Sequence, residues 1–132
     1  MTELRSRAII AVVDDDERIL DSLRTLLESA DYVPLLFPSA LALLESGHLR
    51  EIDCLISDID MPTMDGFELL RVVREARLEL PIILITGYPE MLNRLPPAGP
   101  SHYRLFKKPF DGHELLASIS EALRRAKDPG RH

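Results

Sequence analysis

The chain has 132 residues, enough for one ordinary domain, and 45% hydrophobic with 29% charged residues lets it bury a core and keep a charged surface. A formal net charge of −6 argues against direct binding to nucleic acid or to an anionic membrane surface, both of which select basic patches. A single cysteine, Cys54, excludes an internal disulfide and leaves no basis for a thiolate zinc centre. No apolar run approaches a membrane span, and the N-terminal MTELRSRAII lacks a signal-peptide core, so a cytoplasmic protein is expected.

Two kinds of hydrophobic pattern alternate along the chain. AIIAVV (8–13) is a continuous apolar run, the pattern of a strand covered on both faces in a parallel sheet. Asp14, Asp15 and Asp16 follow it. Then Ile19, Leu20, Leu23, Leu26 and Leu27 form a helical stripe, with Asp16 as its cap and Glu17 favourably placed at the positive end of the helix. YVPLLF (32–37) reads as a second strand, and Pro34 within it predicts a sheet edge. Ser39 and Gly47 bracket a short helix as its start and stop. CLIS (54–57) is the third strand and ends in Asp58; MPTMDG leads from it into a helix striped by Phe67, Leu70, Val73 and Ala76. IILIT (82–86) is the fourth strand. Pro89, Pro96, Pro97 and Pro100 leave room for at most a short or irregular helix after it. HYRLFK (102–107) is the fifth strand, and Asp111 with Glu114 predicts a capping box for a last helix striped by Leu115, Leu116, Ile119, Ala122 and Leu123.

Five strands alternating with helices imply a doubly wound α/β fold. With Pro34 at an edge, the flavodoxin-like order 2-1-3-4-5 follows. Ligands in such sheets bind outside the carboxyl ends of the strands, near the switch point between strands 1 and 3. Asp14 and Asp15, Asp58, Thr86, and Lys108 all fall at those ends. Each has an ordinary explanation alone: a solvated loop, a turn cap, a strand-end threonine, a surface lysine. Four strand ends converging with complementary chemistry favour a site. Carboxylates without thiols or clustered histidines select a hard cation, and Mg2+ suits two or three carboxylates plus water and a phosphate oxygen. The backbone carbonyl of Asp60 is a further candidate ligand. An ionised Asp58 beside such a cation can attack phosphorus, with Lys108 neutralising the transferring oxygens and Thr86 hydrogen-bonding one of them. His48, His102, His113 and His132 are scattered and read as surface residues.

With these residues in place, the chain closely resembles the CheY-like receiver domain of two-component response regulators. VVDDDE resembles the family's acidic pair at Asp14 and Asp15, SDIDMPTMDG its phosphoacceptor segment at Asp58, LITGY its switch hydroxyl at Thr86, and KKPF its Lys-Pro pair at Lys108 and Pro109. The resemblance implies a receiver domain over residues 1–127, with 128–132 a tail or the start of a linker. It implies that a histidine kinase or phosphotransfer protein donates a phosphoryl group to Asp58, and that Asp15 binds Mg2+ directly with Asp14 acting largely through water. It further implies a cis Lys108–Pro109 bond, self-catalysed phosphorylation and dephosphorylation rather than enzyme turnover, and an output domain or downstream protein that takes the signal. FPSALALLES resembles receivers that precede a LuxR-type helix-turn-helix output. The family's aromatic switch position holds Leu105 here. Two alternatives stand beside this reading: a haloacid-dehalogenase-like phosphatase fragment, from the DIDMPT (58–63) likeness to a DxDxT motif, and a degenerate receiver that acts only as an interaction module.

Overall fold

The structure is a computed structural model that describes residues 7–88, 90 and 103–126. Its elements run β1 (Ile9–Val13), α1 (Glu17–Ser29), β2 (Val33–Phe37), α2 (Ala40–Ser46), β3 (Cys54–Asp58), α3 (Gly66–Ala76), β4 (Ile82–Thr86), β5 (Arg104–Lys107) and α4 (Gly112–Ala126). The strands form one sheet in the order β2-β1-β3-β4-β5 with every neighbouring pair parallel, as the alternating pattern predicts. The expected short helix falls on 89–100, of which only residue 90 is described, and the tail from 128 lies outside the described residues.

Burial explains the two strand types. β3 and β4 are buried at every position because they sit inside the sheet with helices on both faces. β2 is an edge strand, so Pro34, paired with Ile10, removes a donor where the ladder needs only one side. Alternate residues face opposite layers. Ala11, Val13, Leu55 and Leu84 pack with Leu43 of α2 and Leu69 and Val73 of α3. Ile10, Val12, Ile56 and Ile83 pack with Leu23 and Leu27 of α1 and Leu115 and Ile119 of α4. Cys54 belongs to this second layer as a fully buried hydrophobe, its thiol pushed up to about 12 by burial and then by Asp53.

The helix caps follow local side-chain chemistry. Asp16 caps α1 by accepting from Arg18 N at 2.9 Å, and Ser39 caps α2 by accepting from Ala42 N at 3.0 Å, with Gly47 ending α2 at φ 81°. Asp111 Oδ1 accepts from the backbone N–H of His113 (2.8 Å) and of Glu114 (3.2 Å), which is the aspartate half of the expected box. A reciprocal box forms at α3 instead: Asp65 accepts from Glu68 N and Glu68 Oε1 accepts from Asp65 N, each at 2.9 Å. At the other end of α3, Arg77 Nη1 donates to the carbonyls of Leu49 (2.7 Å) and Ile52 (3.1 Å), tying that helix to the segment entering β3. No helix among the described residues is long and apolar enough to cross a membrane.

Candidate functional site

Parallel strands bring their carboxyl ends to one rim, and four ends of this sheet carry the residues singled out above. β1 runs into Asp14 and Asp15, β3 ends on Asp58, β4 ends on Thr86, and β5 runs into Lys108. Carboxylate oxygens of Asp14, Asp15 and Asp58 lie within 4.8 Å of one another. Asp14 and Asp58 are buried, at 3% and 5% exposure, while Asp15 is open to solvent.

Lys108 completes the cluster. Its backbone N–H donates to the Thr86 carbonyl at 2.7 Å, extending the β4–β5 ladder by one bond, and a cis peptide joins it to Pro109. From there the ammonium reaches across to Asp58 Oδ1 at 3.0 Å and Asp14 Oδ2 at 3.3 Å. Asp14 Oδ1 also accepts from Asp16 N at 2.9 Å, so both its oxygens are engaged. Asp58 Oδ1 is buried and paired in charge with Lys108, yet receives no well-directed hydrogen bond.

The electrostatics follow from this crowding. Burial, then the Asp14 carboxylate, pushes Asp58 up to about 6 against the pull of Lys108. Burial likewise raises Asp14, opposed by the Asp16 N–H and Lys108. For Lys108, burial works against the charge, but Asp58 and Asp14 outweigh it and hold the ammonium above its usual range. One ammonium thus faces three carboxylates. The donor set is oxygen only, with no thiol or imidazole in it, and fits a hard divalent cation better than a soft one.

Among the described residues, no other expected side chain is hydrogen-bonded to the cluster. Thr86 is buried, and its hydroxyl accepts from Tyr88 N at 3.0 Å and donates to the Tyr88 carbonyl at 3.2 Å, so it is held on its own loop. The Asp60 side chain is exposed. His48 pairs with Glu51 at 2.8 Å and His113 is exposed; neither joins the cluster, while His102 and His132 lie outside the described residues. Leu105, paired with Leu84, is half-buried against the core layer that holds α2 and α3.

Sequence reasoning missed three features here. Asp14 bonds Lys108 directly, a contact between residues 94 positions apart that spacing alone does not reveal. Ser57 Oγ donates to the Asp58 carbonyl at 2.9 Å. Gly66 lies against the backbone of Asp58 and Ile59, and the one available signal was a glycine inside a first helical turn, where propensity disfavours it.

Comparisons with known proteins agree with this architecture. The response regulator receiver domain family matches residues 10–120. The transcriptional regulatory protein FixJ of Bradyrhizobium diazoefficiens is 32% identical over 123 residues, covering 93% of this chain and 60% of FixJ. The response regulator protein TodT of Pseudomonas putida is 32% identical over 119 residues, covering 90% of this chain and 52% of TodT. A crystal structure of a response regulator receiver domain protein from Clostridium thermocellum superposes with a TM-score of 0.83 at 26% identity, covering 91% of this chain and 97% of that one. The chain spans about half the length of the curated relatives it matches.

Proposed function

Because the chain belongs to the response regulator receiver domain family, we propose that it accepts a phosphoryl group on Asp58 from a phosphohistidine of a sensor kinase or phosphotransfer protein. The observation that carries this reading is the Lys108 ammonium within ion-pair reach of both Asp14 and Asp58, at the rim where three carboxylates crowd together.

In this reading Asp15, Asp58 and the backbone carbonyl of Asp60 would hold Mg2+ directly, with Asp14 acting largely through water. When bound, the ion supplies charge neutralisation for the carboxylates and for the phosphoryl oxygens. An ionised Asp58 oxygen attacks phosphorus; the new P–O bond forms as the P–N bond of the donor breaks, and the electron pair leaves with the donor imidazole. Lys108 balances the charge that arrives on the phosphoryl oxygens. Thr86 joins them by giving up its bond to the Tyr88 carbonyl, which frees its hydroxyl hydrogen for a phosphoryl oxygen. The domain turns over its own acyl phosphate and no separate substrate. The family match does not favour the phosphatase alternative.

The receiver unit covers residues 1–127, with 128–132 as tail or linker, and it works in the cytoplasm. Its signal passes to an output domain or a downstream protein. The relatives named as transcriptional regulators support an output in transcription, and the FPSALALLES likeness alone points to a LuxR-type one. Acetyl phosphate with Mg2+ tests the assignment. Intact mass should rise by one phosphoryl group, and Asp58→Ala should abolish the rise; equal labelling of Asp58→Ala at another residue would refute it.

A further inference from the structure

Gly66 is the first residue of α3 and is buried. Its N–H donates to the Ile59 carbonyl at 2.8 Å. A Cβ at this position would lie 2.6 Å from the Asp58 carbonyl oxygen, 2.8 Å from Ile59 Cα and 3.2 Å from the Asp58 carbonyl carbon. All three are backbone atoms, so no rotamer change relieves the clash. Nor can that peptide easily retreat. Ile59 N donates to Ile85 O at 2.9 Å, Ser57 Oγ donates to Asp58 O at 2.9 Å, and the Ile59 side chain is fully buried. On the helix side, the Asp65–Glu68 box fixes the first turn of α3.

We propose that Gly66 is a positioning residue for cation binding and phosphoryl acceptance: lacking a side chain, it lets α3 seat directly on the Asp58–Ile59 peptide and so sets where the Asp58 carboxylate and the Asp60 carbonyl stand. This rests on the reading of the site given above. A methyl group at Gly66 must part the helix from that peptide by several tenths of an ångström. Catalytic constellations work within about 0.5 Å, and a displacement of about 1 Å costs on the order of a hundredfold. A glycine needed only for packing would lower stability and leave cation affinity alone.

The test measures Mg2+ affinity by isothermal titration calorimetry, and labelling by acetyl phosphate through intact mass, on the full chain. Wild type, Gly66→Ala and Ile119→Val are compared; Ile119 is buried on the opposite face of the sheet and serves as the control for general loosening. Gly66→Ala should unfold cooperatively, bind Mg2+ at least tenfold more weakly and label at least tenfold more slowly at saturating Mg2+, with Ile119→Val within twofold of wild type. Gly66→Ala within twofold on both measures, or no worse than Ile119→Val, would overturn the proposal. Should Gly66→Ala not fold, amide exchange in the wild type decides. Coupling is reciprocal, so a contact that places the ligands must be tightened by the ligand. Mg2+ should slow exchange of the Gly66 amide at least threefold, and unchanged exchange would overturn the proposal. A wild type that neither binds Mg2+ nor labels would overturn the site reading itself, a failure distinct from that of Gly66 alone.

Discussion

At Asp58, the proposed role and stability pull in opposite directions. A buried carboxylate next to another carboxylate holds its proton more tightly than in the unfolded chain, where 3.8 is usual, and reaches about 6. A folded-state value above the unfolded one means that stability is fully present below about pH 4 and is lost as pH rises through about 6. At 1.36 kcal/mol per unit, about 3 kcal/mol is at stake, as an upper figure because Asp14 titrates in the same cluster. In chelator-containing buffer, Asp58→Asn should therefore be more stable than wild type at pH 7 by about 1–3 kcal/mol, and the gap should close towards pH 4. Urea unfolding at several pH values measures this, and a gap that stays constant from pH 4 to 7 would show that Asp58 is not the strained group.

At the scale of the element, the loop from β3 to α3 carries the same tension in its backbone. Thr63 has φ 71°, and the Met64 N–H donates to the Pro62 carbonyl at 2.8 Å, making a three-residue turn around a β-branched residue in the left-handed region. Such conformations cost on the order of 1–3 kcal/mol and persist only where the surroundings impose them. Here the imposing groups are the Gly66–Ile59 bond and the Asp65–Glu68 box. Thr63→Gly should stabilise the domain by about 0.5–1 kcal/mol, the relief exceeding the entropy that glycine gains on unfolding. Asp65→Ala should destabilise it by about 1–2 kcal/mol. Denaturation midpoints at unchanged m-value test both, and a Thr63→Gly variant less stable than wild type would remove the strain argument. This loop also marks the limit of what the sequence discloses. The strands are legible because runs such as IILIT are nearly all apolar, mostly β-branched and too short for a buried helix, and Pro34 locates the edge. The caps of α1 and α2 were legible because Asp16 and Ser39 act on neighbouring residues. MPTMDG announces a helix entry, but placing its cap at Asp65 also requires pairing Asp65 with Glu68 three residues on, and the Thr86 bond to the Tyr88 backbone depends on a loop path that no spacing encodes.

Across the whole molecule, the site adds side-chain links between strands that the backbone ladder already holds side by side at that rim. Asp14 and Asp15 leave β1, Asp58 ends β3, and Lys108 follows β5, so the cluster bridges the centre of the sheet to its far edge. Three carboxylates against one ammonium leave an excess of negative charge in the folded state that the unfolded chain disperses. A cation bound only by the folded state cancels that repulsion and stabilises the protein by RT ln(1 + [L]/Kd), about 1.4 kcal/mol at ten times Kd. The melting temperature should therefore climb with Mg2+ concentration, by several degrees for a domain of this size. Asp15 is the exposed member of the cluster, so Asp15→Asn removes a repulsive charge without opening a cavity in the core. That variant should melt higher than wild type in chelator and respond less to Mg2+, and the two curves should cross as Mg2+ is raised. A Mg2+ response in Asp15→Asn equal to that of wild type would place the cation somewhere other than this rim.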